Sequence, residues 1–84
     1  MAVSDTMTLR VLTPDRTLLE AEVSKVALPG SKGRFMVLRN HAPVISSLDE
    51  GDVVYMSGSV EGRIHVLGGF VEVNANVITV CAEV

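Results

Sequence analysis

Three side chains in this sequence have the chemistry of a nucleophile, a general base or a soft metal ligand. They are Cys81, His41 and His65, the one cysteine and the two histidines of an 84-residue chain. A structural zinc site takes about four nitrogen or sulfur ligands at short spacings, so this set is too small without added carboxylates. A cysteine nucleophile needs a histidine beside it in the fold, whereas Cys81 lies in an apolar run that favours a packed small side chain. We therefore expect no metal and no cofactor.

The segment Gly30-Ser31-Lys32-Gly33 has the glycine content of a phosphate-binding loop. It lacks the Gly-Lys-Ser/Thr ending of a P-loop, and no helix follows it to direct an N-terminus at a phosphate. It also fits the G-x-x-G loop of a KH domain, but that loop joins two helices, whereas this segment lies between predicted strands. The plainer interpretation is the flexible tip of a hairpin.

Three basic residues, Lys32, Arg34 and Arg39, lie within eight positions of an otherwise acidic chain. The net charge of −3 at pH 7 argues against a nucleic-acid-binding protein, which needs a basic face. No apolar run approaches the roughly 18 residues of a membrane-spanning helix, so we expect no direct membrane insertion. The basic cluster is either a solvated loop or a docking patch for a polar or acidic surface, and the sequence leaves both open.

The elements that position these residues are predicted to be short strands. Valine occurs 15 times, and apolar and polar residues alternate in segments too short for helices. Turn signals separate the segments, among them Thr13-Pro14-Asp15-Arg16, Asn74-Ala75-Asn76 and Leu28-Pro29-Gly30-Ser31, whose glycine fits the third position of a type II turn. We predict one all-β domain over residues 1–84, a ten-stranded antiparallel β-sandwich or flattened barrel.

One aromatic residue has two possible placements in this pattern. Phe70 follows Gly68-Gly69 and has the same strand parity as the polar Glu72. A glycine bulge that resets the alternation would bury Phe70, and without such a bulge it would be an exposed aromatic residue at an interface. We expect the bulge and the burial.

Six motifs then point to a known family. They are Val11-Leu12-Thr13-Pro14-Asp15, Leu28-Pro29-Gly30-Ser31-Lys32-Gly33, Asn40-His41-Ala42-Pro43, Leu48-Asp49-Glu50-Gly51-Asp52-Val53, Leu67-Gly68-Gly69-Phe70-Val71-Glu72-Val73 and Asn76-Val77-Ile78-Thr79-Val80. Their order and gaps resemble the N-terminal β-sandwich domain of the ε subunit of the rotary ATP synthase, over about residues 7–84.

The resemblance implies a ten-stranded sandwich at the foot of the central stalk, with the γ subunit on one side and the c-ring on another. Such a subunit is non-catalytic. It rotates with its partners and couples ion flow, here proton translocation, to ATP synthesis or hydrolysis. The implied location is peripheral, on the cytoplasmic side of the bacterial inner membrane.

The resemblance also assigns individual residues. Ser31, Lys32, Gly33 and Arg34 match the loop that faces the c-ring. His41, Ala42 and Pro43 match a segment near γ, and Thr13 matches a position on the same side.

This sequence departs from the family at three points. Many members have an acidic residue at the position of Arg34, and Pro-Gly usually stands where this chain has Arg39-Asn40. The charge reversal at Arg34 predicts an acidic or neutral loop on the c-ring of the same complex. A helical hairpin usually follows the sandwich, but here the chain stops at Ala82-Glu83-Val84. We therefore expect no nucleotide binding and no inhibition by helix extension.

Two alternatives belong to other functional classes. A free-standing β-sandwich adaptor would bind an unknown protein partner through the segment from Lys32 to Arg39. A small hydrolase would use Cys81 and His41, and fast alkylation of the thiol at neutral pH would reveal such a nucleophile.

Overall fold

The computed structural model describes residues 6–84, which form nine strands and no helix. The strands are β1 (Met7–Leu12), β2 (Thr17–Val23), β3 (Lys25–Leu28), β4 (Phe35–Leu38), β5 (Val44–Leu48), β6 (Gly51–Ser57), β7 (Val60–Val66), β8 (Gly68–Asn74) and β9 (Val77–Glu83). They make a five-stranded sheet in the order β2-β1-β9-β8-β5 and a four-stranded sheet in the order β4-β3-β6-β7. The predicted all-β sandwich is confirmed. The first five residues of the predicted domain lie outside the described part.

Two details of the predicted sandwich were wrong. The described residues form nine strands rather than ten. The segment after β3 does not form a further strand, because Gly30 pairs with Leu48 only through an isolated bridge. A turn follows Gly30 directly, so the ladder cannot lengthen. The sheets are also not wholly antiparallel, because β1 runs parallel to β9, with Leu9 opposite Ile78. These two strands are far apart in sequence, so no hairpin constrains their relative direction.

Strict alternation produces the core between the sheets. In β1 the odd-numbered Met7, Leu9 and Val11 are buried, and in β9 the even-numbered Ile78 and Val80 are buried opposite them. Within residues 6–84 the buried side chains are all apolar. A strand slip of one residue would expose these side chains, so burial also fixes the register. No helix among the described residues is long and apolar enough to span a bilayer.

The expected burial of Phe70 was wrong. The ladder between β8 and β9 runs without a register shift, with Gly69 opposite Ala82 and Phe70 opposite Cys81. Because Val71 points into the core, its neighbour Phe70 must point outward, and 52% of its surface is exposed. The glycine does have a special conformation, since Gly69 has a φ of 139°, but it adopts this within the ladder and inserts no extra residue.

Candidate functional site

The loop of Ser31, Lys32, Gly33 and Arg34 is exposed, and its base is tied to the opposite sheet. The backbone N–H of Ser31 donates to the carbonyl of Ser47 in β5 at 3.0 Å. The Ser31 hydroxyl donates to Asp49 Oδ1 at 3.1 Å and accepts from the Ser47 hydroxyl at 2.9 Å. The loop therefore leaves the sandwich from a fixed point.

The turn of this loop falls later than the sequence predicts. Gly30 does not have positive φ, so the expected type II turn centred on Pro29 and Gly30 is wrong. Instead the N–H of Gly33 donates to the carbonyl of Gly30 at 3.0 Å, and Gly33 has a φ of 125°. Gly30 is needed for space, because a Cβ there would lie 2.8 Å from the Phe35 ring. Gly30 is thus constrained by space and Gly33 by its φ, so the side chains that the loop can vary are those of Lys32 and Arg34.

A cluster of charged side chains lies beside Arg34 on the outer face of the four-stranded sheet. Arg34, Asp52, Arg63 and His65 line one shallow hollow. His65 Nδ1 lies 2.8 Å from Asp52 Oδ1, His65 Nε2 lies 3.1 Å from Glu50 Oε2, and Arg63 donates to Asp52 at 3.1 Å. Carboxylates only accept, so the doubly protonated ring satisfies both contacts.

These contacts shift two pKa values in opposite directions. The hydrogen bond to Asp52, followed by the one to Glu50, raises the pKa of His65 above its usual value. The same bond to His65 lowers the pKa of Asp52; burial opposes this effect in part, and the hydrogen bond from Arg63 adds a smaller lowering. The histidine and its carboxylates act as an ion-paired group on the surface. Among residues 6–84, no group of three or more His, Cys, Asp or Glu side chains is placed to hold a metal ion.

Thr13 organises the turn at the end of β1. Its hydroxyl oxygen accepts from the backbone N–H groups of Asp15 and Arg16 at 3.3 Å and 3.2 Å, and its own N–H donates to the Arg16 carbonyl at 2.8 Å. This network confirms the turn predicted from Thr13-Pro14-Asp15-Arg16. Thr13 and Pro14 form one wall of an open, mostly apolar hollow of about 410 Å³.

The floor of this hollow is a row of apolar side chains that the sequence analysis did not find. Cys81 in β9 has Leu12 of β1 on one side and Phe70 of β8 on the other. The row, called here the apolar row (Leu12, Cys81 and Phe70), crosses three strands on the outer face of the five-stranded sheet. An exposed aromatic residue within such a row is typical of a protein-binding surface. The parity of Phe70 with Glu72 was the available signal for it.

Residues His41, Ala42 and Pro43 lie in the connector from β4 to β5, at the other end of the five-stranded sheet. The N–H of His41 donates to the carbonyl of Leu38 at 3.1 Å, and its Nδ1 lies 2.6 Å from the carbonyl of Ala42. A carbonyl only accepts, so Nδ1 carries the proton. Thr13 lies at the opposite end of the sheet, about 20 Å from this connector along the strands, at a rise of about 3.3 Å per residue. The structure therefore does not bring Thr13 and His41 together.

The loop of Ser31 and the apolar row are neighbours. Ser31 binds Ser47, and Ser47 lies opposite Phe70 in the ladder between β5 and β8. Cys81 belongs to the same row and is half-buried. The ring nitrogens of the two histidines in the described structure bond to Ala42, Asp52 and Glu50, and none bonds to Cys81. A Cys81–His41 pair is thus not assembled.

Comparison with known proteins identifies the family. The family described as the beta-sandwich domain of the ATP synthase Delta/Epsilon chain matches residues 6–84. An ATP synthase epsilon chain of Desulfitobacterium hafniense is 44% identical over 82 residues, which cover 96% of this chain and 61% of that protein. One from Nitratidesulfovibrio vulgaris is 44% identical over 75 residues, or 89% and 56% of the two chains. The chain spans about three fifths of the length of these relatives.

Two solved structures have the same fold at low identity. A chain in the mitochondrial ATP synthase of Euglena gracilis superposes with a TM-score of 0.88 at 20% identity, covering 98% of this chain and 53% of that one. A chain in the central stalk and c-ring structure of the Tetrahymena thermophila enzyme gives 0.78 at 18% identity, covering 93% and 63%.

Proposed function

Because the chain belongs to the family of ATP synthase delta/epsilon chain β-sandwich domains, we propose that it is a non-catalytic rotor subunit that joins the γ subunit to the c-ring. In this role it couples ion flow to ATP synthesis or hydrolysis. This role requires no catalytic residue and no cofactor of its own. It lies on the cytoplasmic side of a bacterial inner membrane, held there by its partners. The family match over residues 6–84 is the observation that carries this proposal.

The outer face of the five-stranded sheet is the proposed surface for γ. The apolar row lies next to Thr13, and Ile45 on the edge strand β5 is 74% exposed on the same sheet. Burial of such side chains against a partner gains about 25 cal/mol for each Å² of apolar surface removed from water. The connector with His41, Ala42 and Pro43 supplies the second end of this surface, so γ would span the length of the sheet.

The loop of Ser31, Lys32, Gly33 and Arg34 is the proposed contact with the c-ring. Its exposed tip presents two cations, and its base is held by Ser47 and Asp49. A polar contact of this kind steers association and sets specificity more than it adds affinity. The fixed base suits torque transfer, because force applied at the tip reaches both sheets of the sandwich through Ser47 and β3.

Binding of purified γ to the chain tests the γ surface. Phe70→Ser should weaken binding at least tenfold, because aromatic residues at the centre of an interface contribute a large share of the affinity. Val60→Ser is the matched control, since Val60 is 66% exposed but lies at the start of β7 in the other sheet. Equal binding by wild type and the Phe70 variant would remove the apolar row from the interface. No binding by wild type would refute the γ partnership.

Assembly with the c-ring tests the loop. Arg34→Glu should weaken assembly, and the difference from wild type should shrink as salt is raised. Lys25→Glu makes the same charge change on an exposed strand residue away from the loop and should have little effect. If the Arg34 variant assembles with the c-ring at low salt and couples ion flow to ATP synthesis or hydrolysis as well as wild type does, the proposed contact is contradicted.

One structural observation supports the alternative function as a protein-binding adaptor. Strand β4 exposes Met36 and Leu38, which are 51% and 53% accessible, within the segment from Lys32 to Arg39. This apolar pair could bind another protein. The adaptor function is favoured only if wild type binds neither γ nor the c-ring.

A further inference from the structure

Two asparagine side chains join segments that are 36 residues apart in sequence. The backbone N–H of Asn40, in the connector between β4 and β5, donates to Asn76 Oδ1 at 2.7 Å. The side-chain Nδ2 of Asn76, in the turn between β8 and β9, donates to Asn40 Oδ1 at 3.2 Å. One side-chain amide of Asn76 therefore satisfies both a backbone and a side-chain group of Asn40. We call this pair of bonds the Asn40–Asn76 latch.

Both asparagines are in the left-handed region. Asn40 has a φ of 65° and Asn76 a φ of 63°. Asparagine and glycine are the residues that adopt this region at least cost. Asn40 therefore supplies the positive φ that a glycine would also supply at this position. It also adds a side chain that glycine does not have, and this side chain forms one of the two latch bonds.

The connector between β4 and β5 makes few other hydrogen bonds to the sandwich. The chain here crosses from the four-stranded to the five-stranded sheet, and the three residues before β5 make no ladder pairs. The N–H of His41 closes a turn onto the Leu38 carbonyl at 3.1 Å, and the latch ties the preceding residue, Asn40, to the turn between β8 and β9. Exposed connectors with few bonds have many alternative conformations, so two bonds to a rigid hairpin turn reduce them strongly.

We propose that the latch is a positioning device that holds His41, Ala42 and Pro43 in the conformation that docks onto γ. This inference rests on the proposed function. Because His41 Nδ1 donates to the Ala42 carbonyl, the ring is turned so that its other nitrogen, Nε2, can contact a partner. Holding Asn40 fixes the start of the segment, and β5 fixes its end. Asn40 and Asn76 act through this segment and need not touch γ themselves.

The variant Asn76→Gly tests the latch without disturbing the turn. Glycine tolerates the positive φ of this position, and the substitution removes both latch bonds. Asn40→Gly removes only the bond to the Asn40 side chain, because its backbone N–H can still donate to Asn76. Ala75→Gly is the matched control, because Ala75 lies in the same turn with a φ of 50° and its methyl group makes no hydrogen bond, so both latch bonds remain. All four chains are first checked for the same far-UV spectrum.

Two measurements separate positioning from stability. We expect hydrogen exchange at the Asn40 amide to accelerate about 5- to 30-fold in Asn76→Gly. Exchange at the core amide of Val80 should have the same rate in Asn76→Gly, Ala75→Gly and wild type. We expect the Kd for γ to rise about 5- to 10-fold in Asn76→Gly, less in Asn40→Gly, and not in Ala75→Gly.

The outcomes distinguish this inference from the proposed function. If wild type binds γ and Asn76→Gly binds it equally well, the positioning role is overturned and the γ partnership stands. If Asn40 exchange is unchanged in Asn76→Gly, the latch itself is overturned. If wild type does not bind γ, the proposed function fails, and the positioning role fails with it even where the exchange result is as expected.

Discussion

Two adjacent glycines at the start of β8 should differ strongly in how much stability the chain loses when each is replaced by alanine. Gly69 has a φ of 139°, and a Cβ built there would overlap the carbonyl oxygen of Cys81 and lie 3.0 Å from the Cα of Ala82. Both neighbours are backbone atoms of the paired strand β9, so no side-chain rotation can relieve the contact. Gly68 has no positive φ, and its Cβ would meet the Leu48 carbonyl oxygen at 3.6 Å, an ordinary contact.

The cost of Gly69→Ala has two sources. A side chain in this region of φ costs about 1–3 kcal/mol, and displacing β8 from β9 weakens one or two ladder bonds worth about 0.5–1.5 kcal/mol each. We expect a loss of about 2–4 kcal/mol in the free energy of unfolding. A chain of this size has a total of about 4–13 kcal/mol, so the loss is a large fraction of it. For Gly68→Ala we expect a change within about 0.5 kcal/mol.

Urea unfolding followed by far-UV circular dichroism measures both changes. With an m-value of about 1 kcal/mol per molar urea, Gly69→Ala should lower the midpoint by about 2–4 M, and Gly68→Ala should leave it nearly unchanged. The reasoning is refuted if the two variants unfold at the same urea concentration. A Gly69→Ala chain that does not fold at all would agree with the direction of the effect, and Gly68→Ala would then confirm that alanine as such is tolerated in this strand.

Two further predictions concern the turn between β8 and β9 and the charge cluster. Ala75 has a φ of 50°, unfavourable for alanine, so Ala75→Asn should stabilise the chain by about 0.5–1 kcal/mol, seen as a higher urea midpoint. The raised pKa of His65 means that its protonated form is stabilised by folding, so this contribution is present below about pH 6.5 and is lost as the pH rises through the folded-state value. The lowered pKa of Asp52 gives a contribution that is lost as the pH falls below about 3.9. His65→Gln should therefore be less stable than wild type between about pH 4 and 6.5 and equal to it in alkaline buffer, and a constant difference across this range would contradict the ion-paired arrangement.

Local sequence determined where the strands form and, in most of them, which residues face the core. The period of two places Leu9, Val11 and Val71 on core positions, since successive side chains must point to opposite faces. The same rule applied to Phe70 gives an exposed residue, and the error there came from assigning a bulge to the glycines before it. The turn at Thr13 was predictable because threonine and proline organise their own neighbouring backbone.

Tertiary structure decided which residues from distant strands become neighbours. The apolar row, the His65 cluster and the Asn40–Asn76 latch each join residues that no local pattern relates. The parallel pairing of β1 with β9 is of the same kind. Alternation is a property of a few consecutive backbone units, so it can be read along the chain. Strand order and register depend instead on which pairing of distant strands buries the most apolar surface for the chain entropy lost when the loops between them close. Both terms involve residues far apart in sequence, so they cannot be read from a local pattern.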